Sequence, residues 1–358
     1  MSECDNCNIF DTVSFDEEEG SLIVIDQTLL PQELKLLPLR TLEEAWEAIK
    51  NLRVRGAPAI GVAGAIALYA AARKLAACSY SQFVTRLLAA AEYLNSARPT
   101  AVNLSWALGR MENILKSGPP ETEQALAALR REARAIWEED IAACRAIGEH
   151  GLSLLRPGDG LLTHCNAGRL AAVRYGTATA PMYAGHSRGY NFKIFVDETR
   201  PLLQGARLTA YELASAGLDV TLICDHTAVT VMKKGLIQAV LVGCDRVAAN
   251  GDAANKIGTL PLAIAARRYA VPFYVCAPAS TVDPASATGD DIVIEERGGE
   301  EITSLWYSRP MAPPGCKTFN PAFDVTDHEL VSAFVTEYGV IRPPFEKKLS
   351  ALGRLGKL

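Results

Sequence analysis

The sequence predicts an α/β protein, with a Rossmann-like parallel-sheet domain preceded by a smaller, mainly helical N-terminal domain. Three observations carry that expectation. Short apolar runs at 160–164, 192–196, 221–224 and 239–243 alternate with helix-sized segments, the pattern of a parallel sheet with helical crossovers. Before them, apolar residues recur at spacings of three to five rather than two, which is helical periodicity. Between the two styles stands Arg156-Pro157-Gly158-Asp159-Gly160, a cluster of turn formers that ends the helical pattern. The domains are therefore expected at 1–155 and 156–358.

In chain order, Leu22–Ile25 and Thr28–Leu30 read as short opening strands. Thr41-Leu42-Glu43-Glu44 is a capping box, in which the Thr hydroxyl and the Glu carboxylate each accept from an otherwise unsatisfied amide. It predicts a helix over 42–52, and others follow over 59–76, 81–96 and 103–115. A long helix is expected over 121–155, where Leu126, Leu129, Ala133, Ile136, Ile141, Cys144 and Ile147 share a face. In the second domain, helices are expected at 204–216, 227–234 and 254–269, and further strands at 272–276 and 292–294. The polar stretch 281–291 reads as one exposed loop.

A chain of 358 residues can bury two full cores. Its 49% hydrophobic and 22% charged residues are those of an ordinary globular protein. A net charge of -5 argues against a broad phosphate-backbone footprint, so nucleic acid is not an expected partner. Nine cysteines, odd in number and irregularly spaced, suit a reducing compartment better than a disulfide framework. Cys4-x-x-Cys7 has no second pair at ligand spacing, so a structural zinc is not expected. The acidic N-terminal region lacks the layout of a signal peptide. The most apolar stretch, 57–72, is mostly Ala and Gly and falls short of the ~20 strongly apolar residues that cross a bilayer. It reads as a tightly packed internal helix, in a cytoplasmic protein with no membrane partner.

In an open parallel sheet the carboxyl ends of the strands share one rim, and ligands bind in the crevice there. Four loops of this chain leave that rim. His164 leads into Cys165-Asn166-Ala167-Gly168, and Val196 into Asp197-Glu198-Thr199-Arg200-Pro201. Cys224 leads into Asp225-His226, and Gly243 into Cys244-Asp245-Arg246, Asn250-Gly251-Asp252 and Asn255-Lys256. A thiol, several carboxylates, a lysine and Gly-rich backbone therefore converge, which reads as an active site. There is no HxxxH, no paired acidic metal motif and no GxGxxG after a strand, so neither a metal nor a nucleotide cofactor is expected.

Further motifs are Arg55-Gly56-Ala57-Pro58-Ala59-Ile60-Gly61, Arg98-Pro99-Thr100-Ala101-Val102-Asn103-Leu104 and Gln204-Gly205-Ala206-Arg207-Leu208-Thr209. Asn255-Lys256-Ile257-Gly258-Thr259 and Asn320-Pro321-Ala322-Phe323-Asp324-Val325-Thr326 complete the set. Together with the four loops they resemble the S-methyl-5-thioribose-1-phosphate isomerase family, over about residues 20–345. The regulatory subunits of the eukaryotic initiation-factor exchange complex resemble the chain more distantly. The isomerase resemblance implies an aldose–ketose isomerase of methionine salvage, a sugar phosphate substrate and a homodimer. It implies a catalytic cysteine at Cys165 and a catalytic aspartate at Asp245. It implies substrate contacts at Arg55, Gly56, Ala57, Arg98, Gln204, Asn255 and Lys256. One stretch departs from the usual family pattern, Arg174-Tyr175-Gly176-Thr177-Ala178-Thr179-Ala180-Pro181-Met182-Tyr183. It is similar to the branch acting on 5-deoxyribose 1-phosphate.

The chemistry explains these residue types. A ribose 1-phosphate cannot open to a free aldehyde, because its anomeric oxygen is esterified. The ring oxygen must be protonated to break the C1–O4 bond, and hydrogen must pass from C2 to C1, through an enolate with a base or as a hydride. Asp245 is the candidate acid. An ordinary Asp is only about 0.1% protonated at pH 7, so this role needs an apolar pocket that raises its pKa. The run 239–244 offers such surroundings; the alternative is that Asp245 pairs with Arg246 or caps a helix. Cys165 is the candidate at C2, as a thiolate base or as a neutral thiol shaping a hydride path, with amides of Asn166-Ala167-Gly168 turning into a helix beside it. The alternative is a small buried hydrophobe.

Lys256, read as opening a helix, adds its charge to that helix's positive end as a phosphate ligand. Arg55-Gly56-Ala57 precedes another helix and offers a guanidinium beside permissive backbone. From the residues alone, Arg98 reads equally as surface or site. Gln204 and Asn255 suit sugar hydroxyls, since amides both donate and accept. His164 and His226 read as structural. Against the isomerase stands a non-catalytic sugar-phosphate sensor on the same scaffold, disfavoured because Cys165, Asp245 and the phosphate ligands occur together. The methylthio and deoxy sugars differ only at C5, an increment of about 1–3 kcal/mol in an apolar pocket, so overlapping specificity is expected.

Overall fold

The structure is a computed structural model that describes residues 11–16, 19–99, 102–118 and 120–355. Cys4 and Cys7 lie outside the described residues. Two compact units divide the chain. One extends to Arg145 and takes in Gly168–Gly176; the other comprises Ala146–Ala167 and everything from Thr177.

The first unit opens with an antiparallel sheet of β1 (Val13–Asp16), β2 (Ser21–Ile25) and β3 (Leu36–Leu39). The expected strand at 28–30 is instead a turn. Asp26 Oδ1 accepts both the Thr28 amide, at 3.1 Å, and its hydroxyl, at 2.6 Å, an Asx-type turn that competes with extended pairing. Helix α1 (Leu42–Lys50) begins at the capping box: Thr41 Oγ1 accepts the Glu44 amide at 3.1 Å, and Glu44 Oε2 accepts the Thr41 amide at 3.0 Å. Then come α2 (Ala57–Lys74), α3 (Tyr80–Asn95), α4 (Val102–Ser117) and α5 (Thr122–Leu152), whose last turns belong to the second unit.

Helix α2 is buried on nearly every side, and this is what its Ala and Gly are for. A Cβ at Gly61 would stand 2.8 Å from the Asn103 carbonyl oxygen, and one at Gly64 would stand 2.5 Å from Leu104 Cδ1. Because Gly61 meets Asn103 and Gly64 meets Leu104 and Leu108, α2 and α4 run parallel. Their amino ends lie at the same end of this unit. Arg55-Gly56-Ala57, at the start of α2, and Arg98, in the turn before α4, are gathered there.

The second unit holds β4 (Gly160–Thr163), α6 (Ala180–His186), β5 (Lys193–Asp197), α7 (Ala210–Ser215), β6 (Asp219–Ile223), α8 (Ala228–Lys233) and β7 (Ala239–Val242). It continues with β8 (Arg246–Ala248), β9 (Ala253–Lys256), α9 (Thr259–Arg268), β10 (Phe273–Cys276), β11 (Val282–Asp283) and α10 (Glu300–Thr303). It closes with β12 (Phe323–Thr326), β13 (Ala333–Thr336), β14 (Gly339–Ile341) and α11 (Glu346–Leu355). The main sheet has the order β14-β13-β10-β7-β4-β5-β6, parallel except for β14. Alternate residues serve two cores. Leu162, Val240, Val242, Phe273 and Val275 pack with Met232, Leu262 and Leu349 of α8, α9 and α11. Leu161, Ile194, Val196, Leu241 and Tyr274 pack with Ile147, Met182 and Leu213 of α5, α6 and α7. Burial on both faces is why these strands read as continuous apolar runs.

In the second unit four expectations are corrected, the first being that 281–291 is not one exposed loop: Val282–Asp283 is strand β11, paired with β8, and Thr281, Val282 and Ser286 are buried. The helix expected from 254 begins only at Thr259, because Ala253–Lys256 is a strand paired antiparallel to β8 on one side and β12 on the other. These form a second sheet, β11-β8-β9-β12. The helix expected over 204–216 begins as a π-helical turn, Gly205–Thr209, before α7. Residues 292–294 form no strand.

A direct consequence of the α2–α4 approach is that Gly61→Val should lower the unfolding free energy by about 1–3 kcal/mol through overpacking, read from urea unfolding. An unchanged midpoint would contradict the approach.

Candidate active site

The parallel order of the main sheet puts the loops in register. β4 lies between β7 and β5, with Leu162 opposite Val240 and Phe195. Cys165 follows β4, which ends at Thr163, and Asp245 follows β7, which ends at Val242. Neighbouring strands lie about 4.8 Å apart, so both residues leave adjacent strand ends. Gly243 brings the two loops together: a Cβ there would collide with the Ala167 Cβ.

The strand carrying Asn255 and Lys256 is tied to the same place. The Asp245 amide donates to the Ala254 carbonyl at 2.9 Å. His164 Nε2 lies 2.9 Å from the Ile257 carbonyl, and a Cβ at Gly258 would stand 2.8 Å from His164 Cε1. Gln204 precedes Gly205, which packs so closely on the Asp197 carbonyl that a Cβ there would overlap it. Cys165, Asp245, Gln204, Asn255 and Lys256 are thus brought to one end of the sheet.

Cys165 is buried and has φ +63°, the left-handed region, which costs a non-glycine residue of order 1–3 kcal/mol. Its amide donates to Thr199 Oγ1 at 2.9 Å, so it is not available to a substrate anion. The residues after it do not turn directly into a helix, as expected, but form a short 3-10 turn, Arg169–Ala171, well before α6.

Behind Cys165 stands His164, wholly buried. Its Nδ1 lies 3.1 Å from Asp197 Oδ2, and its Nε2, facing a carbonyl, must carry hydrogen. Burial alone would push His164 down; the Asp197 hydrogen bond and the charges of Asp197 and Asp225 outweigh it and raise its pKa. Burial also raises Asp197, against the lowering influence of His164. Both directions mean that the pair holds a shared proton tightly. His164, Asp197 and Asp225 offer ligand atoms within 4.8 Å of one another, a grouping that could hold a metal ion. Most of their atoms are already engaged: Asp225 accepts the Thr199 and Arg200 amides at 2.7 and 2.8 Å, and both His164 nitrogens are bonded, while Asp197 Oδ1 is buried with no hydrogen-bond partner among the described residues. The group serves as a scaffold for the loops. His226 lies exposed in the following turn rather than in a core.

The side chains expected to contact the substrate divide by chemistry. Gln204 Oε1 is buried with no hydrogen-bond partner among the described residues, an acceptor suited to a hydroxyl. Asn255 Nδ2 donates to Thr259 Oγ1 at 3.0 Å. Lys256 Nζ donates to the Ala322 carbonyl at 2.7 Å and lies 4.3 Å from the Phe323 ring centroid. The expectation that Lys256 sits on the positive end of a helix is corrected. It ends a strand, and the amide before α9 is taken by a carboxylate, Gly258 N–H donating to Asp324 Oδ2 at 2.7 Å. Asp324 itself is raised by burial. Arg246 pairs with Asp283, at 3.7 Å.

In the first unit, Arg55 and Arg98 are each half-buried. Gly56 has φ +92°, and a Cβ there would collide with the Ala171 backbone. Gln27 Nε2 and Thr12 Oγ1 hold the same turn by donating to the Leu170 and Arg169 carbonyls, at 2.7 and 2.8 Å. Asp197, Thr199, Thr209, Asp225 and Asp324 received no individual role from the sequence, although all lie in the motifs read there or directly after a strand.

The chain matches the model of the Initiation factor 2 subunit family over residues 53–343. It is 59% identical over 346 residues to a protein of Symbiobacterium thermophilum named methylthioribose-1-phosphate isomerase, covering 96% of each chain. It is 54% identical over 341 residues to a protein of Petrotoga mobilis named 5-deoxyribose 1-phosphate isomerase, covering 95% of this chain and 98% of that one. The crystal structure of 5-methylthioribose 1-phosphate isomerase from Pyrococcus horikoshii OT3 superposes with a TM-score of 0.91 at 41% identity, covering 97% of each chain.

The turn before Asn255 gives a pH prediction. Burial would raise Asp252, but hydrogen bonds from Asn250, the Gly289 and His328 amides and the His328 ring hold it near 2. Its folded pKa lies below the ordinary value of about 3.9, so it adds stability above about pH 4 and loses it as pH falls toward 2. Asp252→Asn should therefore flatten the fall in melting temperature over that window. Equal slopes in the two proteins would contradict this.

Proposed function

This chain belongs to the initiation factor 2 subunit family, and from that premise we propose that it is an aldose–ketose isomerase converting 5-methylthioribose 1-phosphate to 5-methylthioribulose 1-phosphate in methionine salvage. The observation that carries the reading is the Gly243–Ala167 approach, which locks the loop bearing Asp245 against the loop bearing Cys165. It occurs in a chain that matches named isomerases over 96–97% of its length. A 5-deoxyribose 1-phosphate activity is kept beside it, because relatives bearing that name are 54% identical. A homodimer and a cytoplasmic location belong to the same proposal; among the described residues no helix is long and apolar enough to cross a membrane.

In this mechanism Asp245 gives a proton to the ring oxygen as C1–O4 breaks. Cys165 acts at C2, where hydrogen leaves for C1 and the C2 hydroxyl becomes the ketone as its proton passes to the Asp245 carboxylate, which restores the acid. Gln204 and Asn255 orient the sugar hydroxyls and Lys256 answers the phosphate, while the family resemblance assigns Arg55, Gly56, Ala57 and Arg98 to substrate contact as well. The Lys256 charge meets the dianion directly, since the amide before α9 is already given to Asp324.

Turnover of both sugars, followed by NMR, tests the activity; ketose formation supports it, and stoichiometric binding without ketose favours a sensor. Cys165→Ser and Asp245→Asn should each lower kcat by about 100-fold or more with the fold intact. Near-normal rates in either variant would remove that residue from the mechanism. Dialysis against EDTA should leave the rate unchanged, and a loss restored by a divalent ion would overturn the metal-free route.

A further inference from the structure

We propose that Thr199 and Thr209 are positioning residues for Cys165: their hydroxyls grip its main chain from both sides and fix the left-handed turn from which its thiol meets the sugar. The catalytic side of this inference rests on the isomerase reading above; the structural side does not. Thr199 Oγ1 accepts the Cys165 amide at 2.9 Å and passes its own hydrogen to the Asp197 carbonyl at 3.0 Å. Thr209 Oγ1 donates to the Cys165 carbonyl at 2.6 Å and accepts from Asn166 Nδ2 at 3.0 Å. Each hydroxyl therefore works as donor and acceptor at once, which a methyl group cannot reproduce. Both threonines are fully buried, so water does not take over either bond.

The two grips come from separate elements. Thr199 follows β5 and is itself left-handed, with φ +65°, held there by its amide donating to Asp225 Oδ1. Thr209 ends the π-helical turn Gly205–Thr209, and such turns recur at functional sites. Gly205 opens the same turn, where a Cβ would overlap the Asp197 carbonyl and stand 2.8 Å from Thr199 Oγ1. The glycine thus leaves room for the first grip in the turn that supplies the second. A strained residue persists only where its surroundings over-determine it, and at Cys165 both peptide groups are fixed by side chains.

Valine replaces each hydroxyl with a methyl of nearly the same shape, and serine restores it. In the purified full-length protein, Thr199→Val and Thr209→Val should each lower kcat for 5-methylthioribose 1-phosphate by about tenfold or more, with KM moving less than about threefold. Thr199→Ser and Thr209→Ser should recover most of that loss. Independently of turnover, the rate of iodoacetamide modification at Cys165, followed on its own peptide by mass spectrometry, should change several-fold in the valine variants and return with serine. Wild-type kcat in both valine variants, serine variants as slow as valine, or a loss confined to KM would overturn the proposal. If a valine variant does not fold, the serine pair decides, full kcat supporting the grip and a tenfold loss refuting it. A wild-type protein that turns over neither sugar sinks the isomerase reading, while the modification rates still judge the grip.

Discussion

A single left-handed cysteine at the end of β4 sets the terms for the rest of this structure. Holding Cys165 at φ +63° costs energy. The compensation comes from side chains delivered by β5 and by the π-helical turn, and from a doubly buried sheet stiff enough to hold them. His164, between the strand and the cysteine, is fixed at both ring nitrogens, so the loop leaves the sheet in one direction. The adjacent β7 loop is then placed by exclusion, since Gly243 leaves no room for a side chain beside Ala167.

Carboxylates near this site do two kinds of work. Asp197, Asp225 and Asp324 hold amides or the His164 ring and shape the loops. Asp245 follows the buried strand β7 and is the one the proposed chemistry uses. The cap on α9 has a consequence for phosphate binding. With Asp324 on the Gly258 amide, that helix end offers little net positive field, and Lys256, steadied by the Ala322 carbonyl and the Phe323 ring, carries charge in its place.

Much of this was legible in the sequence. The buried strands announced themselves as unbroken apolar runs because both faces of the sheet are covered, and the Thr41 box marked the first residue of its helix. The errors share a cause, which is that local pattern does not report long-range pairing. Ala253–Lys256 reads as helical until its antiparallel neighbours at Arg246–Val247 and Phe323–Thr326 are known. Thr28 looks extended until Asp26 folds over it. Among site residues, motifs named Cys165, Asp245, Gln204, Asn255 and Lys256, which the fold does gather. Thr199 and Thr209 sat in the same motifs without a role, because their partners lie more than thirty positions away in the chain.

The most direct test is a crystal structure of the full-length protein with the ketose phosphate bound. The pentose chain should contact both Cys165 Sγ and the Asp245 carboxylate, with Cys165 still left-handed. A sugar touching only one of the two, or the two side chains opening onto separate cavities, would contradict it.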